Sequence, residues 1–402
     1  MRILIAAAGS RGDVVPYTGL GAGLVTAGHD VTVAAHSPFE EAIRSVGLRF
    51  AALGGDIREL VATTEHRRPS PAMLAKRTKQ LTGYLLAAAA DAIAAAERGT
   101  DVVLYNSTAL FGADIADGLG VPGFGAFTLP IEPTGEFPPP LSNSARSLGR
   151  WGNRLSGELV LRTLVPFHRA SALVRKHFGL SRRTGRHAAL HGYSAAVLPR
   201  PADWRPGLDV VGYWWPRHDP AWTPPSALVD FLDAGPAPVF LGFGSMLGGQ
   251  GRWLSGLVRD AVRAAGVRAV AQAGWAGIDG AGDDVLAVGD VPHEWLFPRM
   301  AAVVHHGGAG TTGAGLRAGR PTVITPVFAD QPLWGARVHA LGAGPAPLPV
   351  HRLTVGALAS AIRAATGDPR YLAGATAVAQ RIATEDSITP VVRAIELTQP
   401  KS

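Results

Sequence analysis

The sequence predicts an α/β protein with two domains, each built on a parallel sheet. The chain has 402 residues, enough for two domains with substantial cores. Two series of short apolar runs alternate with helix-like runs, one from the N-terminus and one from Val239. Between them, residues 199–238 are rich in proline and tryptophan, which is typical of a stiff connection. We therefore expect β/α/β domains at 1–200 and 239–380, a linker at 201–238 and a tail at 381–402.

The N-terminal stretch carries the clearest strand–helix–strand pattern. Residues 2–8 predict a buried strand, Gly9–Asp13 a loop, and Val14–Ala27 a helix closed by Gly28. Val31–Ala34 follows as the next strand, and this order is typical of a parallel, Rossmann-like sheet. The loop has the spacing Gly-x-x-Gly rather than Gly-x-Gly-x-x-Gly, so it does not match the dinucleotide-binding fingerprint.

The same alternation continues through both halves of the chain. Helices are predicted at about Leu81–Arg98, at Phe111–Leu119 and within the tail from Tyr371 to Leu397. Two domains of this kind, facing each other, favour a ligand cleft at the carboxyl ends of both sheets. The remaining strands are predicted at Asp101–Tyr105, Gly123–Phe127, Ala195–Leu198 and Val239–Phe243, and near Ala269, Val285, Val303 and Thr322.

Composition excludes several classes of function. The chain has no cysteine, which rules out disulfides and thiolate chemistry. No apolar run approaches the ~20 residues of a transmembrane helix, and the first strand runs directly into a glycine loop, so we expect a cytoplasmic protein. Of the net charge of +7, residues 144–187 alone contribute ten Arg or Lys against one acid. That segment predicts a solvated helix face, or else a contact with nucleic acid, an acidic acceptor or, weakly, an anionic membrane. No nucleic-acid motif accompanies it.

The octet from His305 to Thr312 is the strongest candidate for a ligand site. It is a glycine-rich turn between a strand-like run and a helix-like run, and it contains two hydroxyls and two imidazoles. Backbone N–H groups at such a helix N-terminus, together with the helix dipole, favour a phosphate. The alternative is a tight turn that needs glycine for backbone reasons alone.

Three blocks of sequence resemble the nucleotide-sugar glycosyltransferases of the two-domain GT-B fold, in glycosyltransferase family 1. They are residues 9–14 (GSRGDV), 289–297 (GDVPHEWLF) and 305–334, which ends in ADQPLW. The chain is most similar to the sterol glucosyltransferases and to the bacterial enzymes that glycosylate antibiotics. The resemblance is strong across the C-terminal half and weak from about 50 to 200. It implies a UDP- or dTDP-sugar as donor, no cofactor, and a last helix that crosses back to the first domain.

The resemblance also implies a role for each matching residue. Asp330 and Gln331 lie where the family binds sugar hydroxyls, and Val291 and Trp295 lie in the segment that holds the base. The alternatives are that Asp330 caps the next helix and that Trp295 is a core aromatic. The donor diphosphate is expected to contact Ser10, Ser245, His306, Gly308, Thr311 and Thr312, and the alternative role of Ser10 is to orient Asp13. The chain has no Asp-x-Asp motif and no convincing metal-ligand spacing, so protein groups are expected to replace a metal.

Asp13 is the candidate catalytic base. Many family members carry a histidine three residues before a proline in the first loop, and this chain has Asp13-Val14-Val15-Pro16 there. Relatives with the same Gly-Ser-Arg-Gly-Asp sequence are thought to use the aspartate. A carboxylate can accept the proton of an attacking hydroxyl, despite a free pKa near ~4. The alternative is that Asp13 only N-caps a helix that starts at Val14.

These observations predict an inverting, metal-independent O-glycosyltransferase. Its acceptor would be a lipophilic small molecule, such as a polyketide-like or sterol-like aglycone, and nucleic acid is not expected as a partner. Two rivals remain open: a nucleotide-sugar 2-epimerase-like enzyme on the same architecture, and a nucleotide-sugar-binding partner without turnover. The sequence leaves the acceptor, the sugar and the oligomeric state undetermined.

Overall fold

The computed structural model describes residues 1–55, 70–181, 187–243, 251–272 and 284–398. The predicted phosphate ligand Ser245 lies outside these residues, as do residues 182–186 of the basic segment. The described part forms two parallel sheets flanked by helices, which confirms the predicted α/β class and GT-B architecture. Within it, no helix combines the length and the apolar character needed to cross a bilayer.

The first domain is built on a seven-stranded sheet in which all neighbouring strands are parallel. Its strand order is β3-β2-β1-β4-β5-β6-β7, so the first strand lies inside the sheet. The central strands are almost wholly apolar because helices cover both of their faces. The strands are β1 Arg2–Ala6, β2 Asp30–His36, β3 Arg49–Leu53, β4 Val102–Tyr105, β5 Gly123–Phe127, β6 Ala188–His191 and β7 Leu208–Val210.

The helix after β1 is split in two, and it begins earlier than the sequence predicts. Ser10 is the N-cap of a single turn, and Pro16 begins the second helix at a position where its missing N–H costs nothing. The helices of this domain are α1 Arg11–Val14, α2 Pro16–Thr26, α3 Glu40–Arg44, α4 Pro71–Glu97, α5 Gly112–Leu119, α6 Gly149–Arg162 and α7 Val165–His177.

The predicted strand at Ala195–Leu198 is wrong. These residues form a turn, in which the hydroxyl of Ser194 accepts a hydrogen bond from the N–H of Ala196 at 3.0 Å. Val197 and Leu198 are nevertheless buried in the core. A short buried apolar run has the same composition as a short strand, which explains the wrong prediction. The sixth strand lies just upstream, at Ala188–His191.

The second domain has a five-stranded parallel sheet in the order β10-β9-β8-β11-β12. Its strands fall at the predicted places: β8 Val239–Gly242, β9 Ala269–Gln272, β10 Val285–Val288, β11 Ala302–His305 and β12 Thr322–Ile324. The helices from the linker onward are α8 Ser226–Asp233, α9 Gly251–Ala265, α10 His293–Leu296, α11 Ala309–Arg317, α12 Gln331–Ala340, α13 Val355–Gly367, α14 Pro369–Ile382 and α15 Thr389–Glu396.

The connection between the domains is more structured than a simple linker. Strand β7 completes the first sheet, so this sheet extends past residue 200, and helix α8 precedes the second sheet. Helix α15 packs on the first domain, where Val391 and Ile395 join the cluster that contains Leu20 and Leu24. The chain thus returns to the first domain at its end, which ties the two halves together.

An apolar interface joins the domains behind the cleft. The rings of Tyr193 and Trp334 meet edge to face, with centroids 5.5 Å apart. The Arg337 guanidinium donates a 2.9 Å hydrogen bond to the carbonyl oxygen of Val197. Trp334 is fully buried and belongs to helix α12, so this interface fixes the position of the loop just before that helix.

Candidate active site

The predicted phosphate turn lies between β11 and α11. Gly308 is the N-cap of α11, which leaves the first N–H groups of this nine-residue helix free of intrahelical partners. Gly307 has φ +94°, and a Cβ there would lie 2.6 Å from a methyl carbon of Ile324, so only glycine fits. The buried His305 ring accepts a 3.0 Å hydrogen bond from the N–H of Gly307 through Nδ1, which holds the turn in shape.

His306 lies against this turn as a neutral imidazole. Its Nε2 is 2.7 Å from the position that a Cβ on Gly308 would occupy. Burial lowers the pKa of His306 to about 4, outweighing the Gly242 carbonyl, which favours the protonated ring. The ring is therefore neutral at physiological pH, and a hydrogen bond that it donates is weaker than one from a charged ring.

The predicted hydroxyl ligands differ in their freedom to bind an anion. Thr311 is partly exposed, and its hydroxyl makes no hydrogen bond to the described part of the chain. Thr312 is buried, and its hydroxyl donates to the carbonyl of Gly308 at 2.9 Å. The Ser10 hydroxyl donates to Asp13 at 2.8 Å. Thr311 is thus the hydroxyl best placed to donate to a phosphate.

Asp13 occupies the third residue of α1, and its carboxylate is held by the helix cap. Oδ2 accepts hydrogen bonds from the N–H of Ser10 at 2.9 Å and from its hydroxyl at 2.8 Å. The alternative in which Asp13 caps a helix at Val14 is wrong in register, because Ser10 is the N-cap and Asp13 completes a capping box. Gly9 has φ +122°, and a Cβ there would lie 2.6 Å from Oδ2.

Asp13 is only partly exposed, and protein groups crowd its carboxylate. Burial raises its pKa above the ordinary value, and the two hydrogen bonds from Ser10 oppose that rise. A raised pKa makes a carboxylate a stronger base once it is ionised. The environment of Asp13 is thus suited to accepting a proton.

Asn106, which the sequence analysis missed, fixes the loop that carries Asp13. It is buried at the carboxyl end of β4, and its amide donates to the carbonyl oxygens of Ala8 at 2.7 Å and Asp13 at 2.9 Å. Its own oxygen accepts from the N–H groups of Thr108 and Ala109. A polar residue directly after a buried strand was the available signal.

The predicted sugar-binding residues lie in the loop between β12 and α12. Asp330 accepts a 2.5 Å hydrogen bond from the indole N–H of Trp334. Burial raises the pKa of Asp330 to about 6, and the negative charge of Asp13 contributes to that rise. Gln331 is buried, and its oxygen accepts from the N–H groups of Val327 and Phe328, so part of its amide shapes the loop. Ala329 has φ +58°, a strained conformation of the kind found beside ligand sites.

The loop after β1 and two loops of the second domain meet across the cleft. The negative charge of Asp13 raises the pKa of Asp330, which indicates that the candidate catalytic base lies near the candidate sugar site. Arg11 forms a 3.2 Å ion pair with Asp290, which also accepts a 3.2 Å hydrogen bond from Gln272. Asp290 lies in the sequence block predicted to hold the base of the nucleotide. The three blocks, residues 9–14, 289–297 and 305–334, thus come together at the cleft.

Val291 and Trp295 lie in the segment predicted to bind the base of the nucleotide. Val291 is buried, which leaves its backbone groups as the parts that can face a ligand. The Trp295 ring is partly buried, meets Trp222 edge to face at 5.7 Å, and has the Arg299 guanidinium 4.3 Å from its centroid. Its role in binding a base remains a prediction. Among the described residues, no three His, Asp or Glu side chains gather in a way that could hold a metal.

Comparison with known proteins identifies the family. Residues 3–138 match the family model for the glycosyltransferase family 28 N-terminal domain. Residues 267–397 match the model for the C-terminal domain of erythromycin biosynthesis protein CIII-like proteins. The chain is 34% identical to sterol 3-beta-glucosyltransferase UGT80B1 of Arabidopsis thaliana, over 100% of this chain and 68% of that protein. The chain belongs to the glycosyltransferase family that includes this sterol 3-beta-glucosyltransferase.

Other members of the glycosyltransferase family extend beyond this chain. UGT80A2 of Arabidopsis thaliana is 35% identical over 98% of the chain, which spans 65% of that protein. The sterol 3-beta-glucosyltransferase of Neosartorya fischeri is 33% identical, and the chain spans 29% of it.

Solved glycosyltransferase structures share the fold. The Streptomyces sp. SF2575 glycosyltransferase SsfS6 has a TM-score of 0.67 at 23% identity, covering 98% of this chain and 99% of that one. The kitacinnamycin glycosyltransferase has a TM-score of 0.72 at 20% identity, covering 99% of each chain. At these identities the likeness concerns the two-domain fold, which the sequence blocks predicted.

Proposed function

We propose that the protein transfers a sugar, with inversion and without a metal, from a UDP- or dTDP-sugar to a hydroxyl of a lipophilic acceptor. The observation that carries the proposal is that the loop bearing Asp13 reaches the second domain, where Arg11 pairs with Asp290 at 3.2 Å and the charge of Asp13 acts on Asp330. Glycosyl transfer by direct displacement needs a base, a sugar clamp and an anion site in one cleft, and this arrangement supplies candidates for each.

The donor class is supported by known complexes of fold neighbours. SsfS6 has been crystallised with thymidine diphosphate, and the glycosyltransferase VinC with dTDP. The acceptor class is supported by the names of relatives, which include sterol 3-beta-glucosyltransferases and a spinosyn rhamnosyltransferase bound to its aglycone. A sterol-like or polyketide-like alcohol is therefore the acceptor that we propose.

In the proposed reaction, the acceptor oxygen attacks the anomeric carbon while its proton passes to the carboxylate of Asp13. The bond between that carbon and the diphosphate breaks on the opposite side, so the configuration inverts. Negative charge that builds on the leaving diphosphate is met by the free N–H groups of the turn, by neutral His306 and by the Thr311 hydroxyl. Asp330 accepts hydrogen bonds from the sugar hydroxyls, which orients the ring for attack.

The variant Asp13→Asn tests the proposal with UDP-glucose, dTDP-glucose and a panel of sterol and polyketide alcohols. Asn keeps the size and accepts a hydrogen bond from Ser10, but it cannot take the proton. We expect turnover to fall by about 10²–10⁴-fold, with donor affinity nearly unchanged because the donor lies mainly on the second domain. Asp101→Asn, at the opposite end of the first sheet beside Arg2, is the matched control.

Each rival has a distinct outcome in the same assay. Turnover close to wild type with a lower melting temperature would mean that Asp13 only caps α1. Sugar conversion without acceptor would indicate an epimerase, and donor binding without nucleotide release would indicate a binding protein. The anomeric coupling constant of the product reports inversion, and an unchanged rate in excess EDTA is expected for a metal-independent transfer.

A further inference from the structure

Helix α6 exposes a stripe of large apolar side chains to solvent, while its buried residues are an asparagine and a glycine. Asn153 and Gly157 are buried on the inner face, whereas Trp151, Leu155 and Leu159 are 89%, 59% and 50% exposed on the outer face. The spacing of four between these three residues places them in one stripe. A surface helix of a soluble protein normally has the opposite arrangement, so this face is built to be covered by something.

The inner face explains why the helix holds this orientation. The Asn153 amide donates to the Gly135 carbonyl at 3.1 Å, and its oxygen accepts from the N–H of Leu148 at 2.8 Å. A Cβ on Gly157 would lie 3.0 Å from Pro133, which shows how closely the helix approaches the proline-rich loop formed by residues 128–140. Because these contacts fix the inner face, a rotation that buried Trp151 would break them.

The exposed apolar residues are concentrated in this region. Of thirteen large hydrophobic side chains that are exposed in the described part of the chain, seven lie between residues 141 and 173. The remaining six are scattered through the rest of both domains. Single exposed apolar residues need no explanation, whereas a cluster marks an interaction surface.

The same region is strongly basic. Residues 144–181 carry seven Arg or Lys and one acid, Glu158, which lies 3.6 Å from Arg154. Arg146, Arg150 and Arg162 form no ion pair within the described residues. Unpaired arginines beside a stripe of tryptophan and leucine are typical of helices that lie in the interface of an anionic membrane. The charge also disfavours a second copy of the chain as the occupant, because two such faces would repel each other.

We propose that the outer face of α6 docks on an anionic bilayer surface, with Trp151, Leu155 and Leu159 in the interface and Arg146, Arg150 and Arg162 among the lipid headgroups. This activity is independent of sugar transfer. It also has a consequence that rests on the proposed function. The helix covers the proline-rich loop, and the turn Pro140–Ser142 at the end of that loop contacts α12, which follows Asp330. Docking would therefore hold the cleft near the bilayer, where a lipophilic acceptor dissolves.

Vesicle co-sedimentation of the full chain tests the docking. The probes are vesicles of phosphatidylcholine alone and of phosphatidylcholine mixed with phosphatidylglycerol, and we expect binding to the anionic vesicles that weakens as salt rises. Trp151→Ser and Leu155→Ser should each lower partitioning by about tenfold or more. Arg150→Gln and Arg162→Gln should each lower it about fivefold. Trp253→Ser, which changes an exposed tryptophan on α9 of the other domain, should leave it unchanged.

Three results would overturn the proposal. The first is no binding of the wild type to anionic vesicles, and the second is equal binding by the Trp151→Ser variant. The third is a dimer, detected by light scattering, that Trp151→Ser abolishes, since a second copy would then cover the face. The melting temperature confirms that each variant is folded, and vesicle binding without sugar transfer would separate this proposal from the proposed function.

Discussion

Asp330→Asn is expected to make the protein more stable and less active, with a gain in stability that depends on pH. The carboxyl of Asp330 is buried against Trp334 and lies near the charge of Asp13, which raises its pKa from 3.8 to about 6. Between about pH 4 and pH 6 the folded state therefore holds a proton that the unfolded state has lost. Stability from this group is complete below about pH 4 and is lost as the pH rises through about 6.

The size of the effect follows from those two pKa values. The folded and unfolded pKa values of Asp330 differ by about two units. This difference corresponds to about 3 kcal/mol in the free energy of unfolding, since each pKa unit is worth about 1.36 kcal/mol. Asn carries no charge, and its oxygen still accepts the hydrogen bond from the Trp334 indole. The variant should thus equal the wild type near pH 4 and exceed it by up to about 3 kcal/mol at pH 7.5.

Melting temperatures measured from about pH 4.5 to pH 7.5 check this expectation. For a domain of this size, each kcal/mol corresponds to roughly 2–4 °C. Turnover should fall in the same variant, because an amide is a weaker acceptor for sugar hydroxyls than a carboxylate. A stability difference that is flat across the pH range, or a variant that is less stable at pH 7.5, would refute the reasoning. Asp233→Asn, at the exposed end of α8, is the control because Asp233 makes no hydrogen bond or ion pair with the described residues.

Two further predictions concern the groups that surround the reacting atoms. His306→Ala should weaken UDP and dTDP binding by about 0.5–1.5 kcal/mol, because the ring is a neutral donor, and calorimetry should show the same loss at pH 6 and pH 8; unchanged affinity would leave the octet as a structural turn. Asn106→Ala removes donors from two carbonyls and should cost about 2–4 kcal/mol of stability in urea unfolding, with a fall in turnover and little change in donor affinity; a variant with wild-type turnover would contradict a positioning role.

Much of the fold was predictable because it rests on local pattern. The five strands of the second sheet are short apolar runs followed by glycine, proline or helix signals, and each lies at the predicted place. The first sheet was harder to predict beyond β5. Strand β7 has three residues between proline-rich turns, too few for a periodic pattern, and it formed part of the predicted linker. The buried turn at Val197 had the composition of a strand without its hydrogen bonds.

The candidate site was predictable as a set of motifs, whereas its electrostatics were not. The glycine turn, the Asp330 loop and the Asp13 loop each have a local signature. The effect of Asp13 on Asp330 depends on how the two domains pack, and the sequence separates these residues by most of the chain. Arg11 and Asp290 illustrate the same limit, since each belongs to a recognised block but their ion pair spans the cleft.

The two carboxylates of the site differ in the hydrogen bonds that favour their charged forms. Asp13 accepts two hydrogen bonds from Ser10, which favour its charged form. Asp330 accepts only one, from Trp334, and burial raises its pKa to about 6. When two acids interact, the one that ionises first does so beside a neutral partner, and the second ionises against its charge. The charge of Asp13 accordingly raises the pKa of Asp330. The hydrogen bonds from Ser10 favour the charged form of Asp13, which is the form that a base requires. An acid limb of kcat/KM near pH 6 would therefore report Asp330, and it should disappear in Asp330→Asn while the remaining activity still requires Asp13.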